Sequence, residues 1–313
     1  MIHIVFACDD NYAQHAGVAI VSLREQQRKG LPVHVHVLDG GISPVNLGKL
    51  KELKDRHLDI TIHQGNIEEY AQYLVLEHFS TAMYLRLSVE QILPPEIERI
   101  IYCDCDIVFL KPIDELWNTD LGGQWLAAVG DPPNPPNLWR KDLGIDEPGR
   151  YFNSGVLLID LNLWRDHHIC QQAKNFITSH WDTIRFPDQD GLNAILYKNW
   201  HRLDNRWNTL TFLVDKKKMP DPAIVHYATE FKPWLYRSFD VYQGEYLKYL
   251  RLSPWRDYQF PDKNLWVWIY RMILLYTPEK VMLIVFQFSW RWRNLLKECN
   301  RQITLMKMNR KPS

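Results

Sequence analysis

The stretch RIIYCDCDIVFL, residues 99–110, is an apolar strand that runs out into two aspartates, Asp104 and Asp106, and then resumes as Ile107 to Leu110. Successive side chains on a strand point to opposite faces, so Tyr102, Asp104 and Asp106 share one side while Cys103 and Cys105 take the other. Two carboxylates then converge on one point. A buried charge needs a partner or a metal, and the nearest basic residues in sequence are Arg99 and Lys111. A divalent cation is the simplest partner. An Asp-x-Asp pair also arises by chance as a solvated loop end, and on this stretch alone the two readings stand level.

Upstream of it, Ile2 to Ala7 is a continuous apolar run of the kind a buried parallel strand shows, and it stops at Asp9-Asp10-Asn11. Ala16, Ala19, Ile20 and Leu23 then give the apolar face of a helix. Val33 to Leu38 reads as a second strand, Ser43-Pro44 as the start of a helix over Val45 to Arg56, and Leu58 to His63 as a third strand. Ser80 caps an expected helix over Thr81 to Leu93, ended by Pro94-Pro95. Downstream, strands are expected at Trp125 to Gly130, Tyr151 to Asp160 and Ala223 to Ala228, with helices over Asn162 to His180 and Pro187 to Lys198. The fold class is therefore α/β, a Rossmann-like, mostly parallel mixed sheet flanked by helices. Ligands of such sheets bind beyond the carboxyl ends of the strands. The run Pro132-Pro133-Asn134-Pro135-Pro136-Asn137 near that rim is a candidate lid.

The chain has 313 residues, 46% of them hydrophobic, and 37 basic against 37 acidic groups. The balance is uneven. Residues 251–313 hold 12 Lys and Arg against 4 Asp and Glu, a charge of +8, which leaves −8 on residues 1–250. Trp255, Trp266, Trp268, Trp290 and Trp292 lie there among Arg256, Lys263, Arg271, Arg291, Arg293 and Lys297. Tryptophan favours the headgroup region and basic residues favour anionic lipid, so this aromatic, basic C-terminal appendage reads as a membrane-surface segment. Packing back onto the main domain is the competing reading. The expected division is a catalytic domain over 1–240 and the appendage over 241–313. No uninterrupted apolar run reaches the roughly 18 residues of a membrane span. The five cysteines lack zinc-site spacing and read as reduced thiols. Met1 leads straight into a strand rather than a signal segment, so the body is expected in the cytoplasm, peripheral on the inner face of the membrane.

Four polar clusters fall at strand ends or helix starts: Asp9 to Asn11, Asp104 to Asp106, Asp131 with Asn153, and Asp188-Gln189-Asp190. Neither glycine-rich phosphate motif is present, which lowers the dehydrogenase and ATPase readings. A diphosphate would instead need a metal and isolated cations, here Arg86 and Lys232. His226 added to Asp104 and Asp106 gives two carboxylates and one imidazole, a donor set that suits manganese. His226 also fits a buried strand, between Val225 and Tyr227, as an ordinary core residue.

The segments FACDDNYAQHAGVAIVSL, YLRLSVEQILP, IIYCDCDIVFLKPIDELWNTDLG, YFNSGVLLIDLNLWR, PDQDGLNAIL and HYATEFKPW, in this order, resemble glycosyltransferase family 8, in particular its bacterial lipopolysaccharide galactosyl- and glucosyltransferases. The resemblance spans residues 1 to about 237. It implies a GT-A fold and a retaining transfer of galactose or glucose from a UDP-sugar, assisted by Mn²⁺ or, as second choice, Mg²⁺. It implies that Asp104, Asp106 and His226 hold the metal, that Asp9, Asn11 and Asp104 border the nucleoside, and that Lys232 meets the diphosphate. Arg86, Asp131, Asn153, Asp188 and Gln189 would surround the donor sugar, with His78 and Met83 near the acceptor. Gln189 is the positional candidate for a nucleophile, with Asp188 and Asp190 as neighbours, yet an amide is a poor one. Front-face substitution is therefore the expected route. The implied partners are a UDP-hexose, a lipid-linked saccharide acceptor and an anionic membrane surface, with no nucleic acid. A catalytically silent sugar-nucleotide-binding or membrane-scaffold protein of the same fold is the alternative. One departure stands out: Thr229 occupies a position where the family usually has glycine.

Overall fold

The structure is a computed structural model that describes residues 1–73, 80–131, 141–147, 150–214, 221–228 and 232–276. The expected lid at residues 132–137, His78, Thr229 and the appendage beyond residue 276 lie outside the described residues.

A seven-stranded sheet runs in the order β3-β2-β1-β4-β7-β6-β8. Its strands are β1 (Ile2–Cys8), β2 (Val33–Asp39), β3 (Leu58–Gln64), β4 (Arg99–Cys103), β6 (Leu126–Gly130), β7 (Phe152–Asp160) and β8 (Trp200–Arg202). All neighbours pair in parallel except β7, which is antiparallel to both β4 and β6. The mostly parallel sheet flanked by helices is the architecture expected from the alternating strand and helix patterns. A second sheet joins β5 (Ile107–Phe109), β10 (Ile224–His226) and β9 (Thr209–Leu210), with β10 in the middle.

The strand read as continuous over residues 99–110 is therefore two strands in two sheets. Asp104-Cys105-Asp106 is the crossing between them, and the simple alternation of faces ends at Cys103. The Asp104 N–H bonds the Gly155 carbonyl at 2.8 Å, the last rung toward β7, before the chain turns away. The crossing puts the two aspartates at the carboxyl end of β4, on the rim where ligands of such sheets sit.

Helix α1 (Asp10–Gln26) starts on an Asp9 cap whose carboxylate accepts from the Tyr12 N–H at 3.0 Å, and it buries Ala13, Ala16, Ala19, Ile20 and Leu23. Helix α2 (Pro44–Lys51) stops short of the expected Arg56, because the Asp55 carboxylate takes the N–H groups of His57 and Leu58 and makes a turn into β3. The expected helix over 81–93 is a 3-10 run, Thr81–Ser88, followed by one turn of α-helix, α3 (Val89–Ile92). Six of those eight residues are buried, including Arg86 and Ser88, so burial on every side rather than an amphipathic stripe shapes the segment. A short α4 (Asp114–Trp117) follows β5. The single helix expected over 162–180 is α5 (Leu161–Asp166) and α6 (Ile169–Ser179), broken at His168, which adopts a left-handed φ of 50°. Helix α7 (Pro187–Leu196) packs beside α6.

Two compact units emerge: residues 1–234 with 238–258, and residues 235–237 with 259–313. The first unit thus extends past the expected boundary at 240. Helix α8 (Gln243–Arg251) packs on α1 through Tyr246, whose hydroxyl meets His15 Nδ1 at 2.6 Å, and Tyr249, which accepts from Gln26. Trp255, read with the membrane segment, is only 7% exposed; its ring fills the space over Gly17 and its Nε1 donates to Asn46. In the second unit, α9 (Leu265–Tyr276) exposes Leu265, Trp266 and Trp268. No helix among the described residues is long and apolar enough to cross a membrane. Cys8, Cys103, Cys105 and Cys170 are buried free thiols, as expected, and Cys299 lies outside the described residues.

Candidate active site

The small sheet assembles the site. Because β10 runs antiparallel to β5 with His226 opposite Ile107, the imidazole is delivered beside Asp106 from a position 120 residues away in sequence. His226 Nε2 stands 3.3 Å from Asp106 Oδ1 and 3.9 Å from Asp104 Oδ2. One ligand atom from each of the three residues lies within 4.8 Å of the others. The other ring nitrogen, Nδ1, donates to Asn208 Oδ1 at 2.9 Å, which orients the ring so that Nε2 faces the carboxylates. Asn208 in turn donates to Asn153, and Asn153 to Asp131 at 3.0 Å. Gly155 is required here. A Cβ on it would fall 2.3 Å from His226 Cε1.

Two cations attend the aspartates. Arg86 bonds Asp104 at 2.6 Å and Asp188 at 2.9 Å, donates to Ser154, and lies over the Tyr102 ring. Burial opposes its charge, but the two carboxylates outweigh burial and keep it protonated. Lys232 bonds Asp106 at 2.5 Å and the Tyr227 carbonyl at 2.8 Å. The two aspartates respond differently. Burial pushes Asp104 upward, with Arg86 holding it back and Asp106 adding to the rise. At Asp106 burial is opposed by Lys232 and His226, which hold the carboxyl well below the usual carboxylate range. Asp106 is the more firmly ionised of the pair.

Arg86, Tyr102, Asp104, Cys105, Asp106 and Lys232 line a cavity of about 300 Å³ together with Ala7, Cys8, Tyr12, Ser80, Ala82, Met83, Phe186 and Ala228. Asp9 and Asn11 are not among its lining residues, although their sequence neighbours Cys8 and Tyr12 are. Burial, with Asp106 next, raises the Tyr12 hydroxyl so that it stays a neutral donor.

The Asp188-Gln189-Asp190 cluster is a closed network. Gln189 Oε1 accepts from the Ser154 N–H at 2.9 Å, and its Nε2 donates to the Tyr151 hydroxyl. Asp190 is fully buried; it takes the Tyr151 hydroxyl and the N–H groups of Arg185 and Phe186. Burial raises its carboxyl above the ordinary range. Asp188 is the member in contact with the site, through Arg86. Among the expected site residues, then, Asp104, Asp106, His226, Lys232, Arg86 and Asp188 are joined directly. Asp131 and Asn153 support His226 from behind. Sequence reading missed Tyr12, Ser154, Phe186 and Asn208, which carry no spacing signal; Tyr12 and Ser154 each stood one residue past a named candidate, Asn11 and Asn153.

A family model for glycosyl transferase family 8 matches residues 3–238. General stress protein A of Bacillus subtilis (strain 168) is 35% identical over 84% of this chain and 98% of its own length. A lipopolysaccharide 1,2-glucosyltransferase of Escherichia coli (strain K12) is 27% identical over 82% of this chain and 79% of its own. Among solved structures, the galactosyltransferase LgtC in complex with donor and acceptor sugar analogs is similar with a TM-score of 0.75 and 27% identity, over 82% of this chain and 99% of that one. With its two-sheet α/β frame and the carboxylates and imidazole gathered on the rim, the chain belongs to glycosyl transferase family 8 and is a glycosyltransferase.

Proposed function

We propose that the protein is a retaining hexosyltransferase that moves galactose or glucose from a UDP-sugar to a lipid-linked saccharide. The observation that carries this reading is the convergence of Asp104, Asp106 and His226 beside Arg86 and Lys232, with both aspartates and both cations lining one cavity. The donor set fits a manganese ion: two carboxylates and an imidazole whose Nδ1 is already held by Asn208. Bound there, the ion would act as a Lewis acid for the diphosphate oxygens of the donor.

The residues of the chain supply the rest. As UDP departs, negative charge grows on its diphosphate, and Lys232 is placed to exchange Asp106 for a diphosphate oxygen. Arg86 keeps Asp104 and Asp188 in register from behind. Retention of configuration needs either an enzymic nucleophile or front-face attack by the acceptor. Gln189 is tied at both ends of its amide and Asp190 is saturated and fully buried, which supports the front-face route. Ala82, Met83 and Phe186 bring apolar side chains to the cavity lining, which suits an acceptor with an apolar side.

We place the enzyme on the inner face of the membrane. Trp266, 77% exposed, and Trp268 on α9 precede the basic stretch of the sequence and would reach the headgroup region. Removal of residues 259–313 should abolish sedimentation with anionic vesicles; unchanged sedimentation rejects the attachment. For the reaction, release of UDP is to be measured over a panel of UDP-sugars with Mn²⁺ or EDTA. Metal-dependent release with a UDP-hexose supports the reading, and no release with any donor and acceptor returns the chain to the silent class.

A further inference from the structure

Four histidines occupy one face of the sheet at its β3 edge, away from the sugar site. The register sets His3 opposite His34 and Val5 opposite His36, while Leu38 stands opposite His63, so β1, β2 and β3 all contribute to the same face. His3 Nδ1 lies 3.0 Å from His36 Nε2, His36 Nδ1 lies 2.9 Å from His63 Nε2, and His34 Nε2 lies 2.7 Å from Thr61 Oγ1. The His34 and His36 rings stack with centroids 4.3 Å apart. His36 is 2% exposed and the other three are half-buried. Among the described residues no carboxylate hydrogen-bonds any of these rings. Asp59, opposite His34 in the register, is bonded to Lys54 and reaches His34 and His36 through its charge alone. Stacked, half-buried imidazoles with no carboxylate hydrogen-bonded to them are costly as charged groups and useful as neutral ligands.

We propose that His3, His34 and His36 form a second metal site, specific for a zinc-like divalent transition metal and separate from the carboxylate site. One ring nitrogen of each already lies within 4.8 Å of the others. Two ligands on a tetrahedral zinc with bonds of roughly 2.0–2.1 Å stand about 3.3 Å apart. The His3–His36 nitrogen pair, at 3.0 Å, therefore needs to open by only a few tenths of an ångström. The outer partners are in place as well. His63 Nε2 is positioned to receive the His36 Nδ1 proton and Thr61 Oγ1 the His34 Nε2 proton, which frees His36 Nε2 and His34 Nδ1 for the metal. Burial, reinforced by the surrounding His34, His63 and His3, holds His36 at about 3, so it is a neutral ligand at neutral pH. The donor set is three imidazoles with no carboxylate, the softer of the two sites, and it prefers zinc, copper or nickel to manganese and magnesium. The fourth position is left for water. Bridging β1 and β2, with β3 in the outer shell, the metal fastens the edge of the sheet at the end away from the carboxylate rim.

The test uses the full chain carrying Asp104→Asn and Asp106→Asn, which disables the carboxylate site, and reads zinc uptake against a chromophoric chelator. One equivalent of zinc is expected to bind and to raise the melting temperature. His34→Gln on that background should weaken zinc at least 100-fold, and His63→Gln about 10-fold, the loss typical of an outer-shell partner. His34→Gln in the otherwise native chain should leave UDP release unchanged. Zinc K-edge absorption of the Asp104→Asn, Asp106→Asn chain, independent of any histidine variant, should show imidazole scattering at about 2.0 Å. No uptake, uptake equal with and without His34, or an oxygen-only shell would overturn the site. The zinc readouts do not depend on the sugar-transfer reading.

Discussion

Asp106 and Asp190 are both buried aspartates within short acidic motifs, and the structure treats them in opposite ways. Asp106 is held by the side chains of His226 and Lys232, groups that can turn toward a ligand, and its carboxyl is driven down. Asp190 is held by two backbone N–H groups and Tyr151, which cannot leave without opening the start of α7, and burial drives its carboxyl up against their pull. The first arrangement exchanges partners and the second fixes a backbone. Carboxylates in a motif are therefore sorted by what satisfies them.

That contrast breaks most easily at the open end. Asp106→Asn should reduce UDP release by about 10³-fold or more, with an unchanged circular dichroism spectrum, because it removes a proposed ligand of the metal and the partner of Lys232. At the closed end, Asp190→Ala should cost about 3 kcal/mol of stability in urea denaturation, since it strands the Tyr151 hydroxyl and two N–H groups. Activity per folded molecule should fall far less than in Asp106→Asn. Asn208→Ala tests the layer behind the open end: loss of the His226 Nδ1 partner should weaken Mn²⁺ activation by roughly 10- to 100-fold and be rescued in part by excess metal.

A smaller effect separates both sites from the general core. His15 is stacked on Trp234, bonded to Tyr246, and pushed by burial to about 3. Its folded pKa lies below its unfolded value near 6.5. The stability it permits is complete above pH 6.5 and declines as the pH falls toward 3, by up to about 2 kcal/mol between pH 6.5 and 5. Melting temperatures across that range should slope downward with acid, and His15→Gln should flatten the slope.

The fold was legible wherever a run kept the pattern of a strand. Ile2 to Ala7, Val33 to Leu38 and Leu58 to His63 fall on β1, β2 and β3, the first because it is almost wholly apolar and the other two because apolar residues recur at every second position, the period of a strand. Breaks imposed by tertiary contacts were not legible. The 3-10 run at Thr81–Ser88 is one, with Arg86 bonded to Asp104, Ser154 and Asp188 far along the chain, whereas the Asp55 turn is local and was hidden inside an apolar spacing read as helix. In the site, Asp104 and Asp106 carried a spacing signal, and His226 and Lys232 entered as readings from composition and resemblance. Asn208 carried none, since a residue that orients a ligand is defined only by where the ligand's second nitrogen points. Trp255 looked like its exposed neighbours Trp266 and Trp268 in composition; only the packing against Gly17 distinguishes it.

The central claim is that Asp104, Asp106 and His226 hold the metal against which a nucleotide diphosphate departs. UDP release from UDP-galactose and UDP-glucose by the native chain, before and after EDTA and again after Mn²⁺ is restored, tests it directly. The account predicts release that falls to background with EDTA, returns with Mn²⁺, and does not return in Asp106→Asn. Release that persists in EDTA, or that Asp106→Asn retains at the native rate, would contradict it.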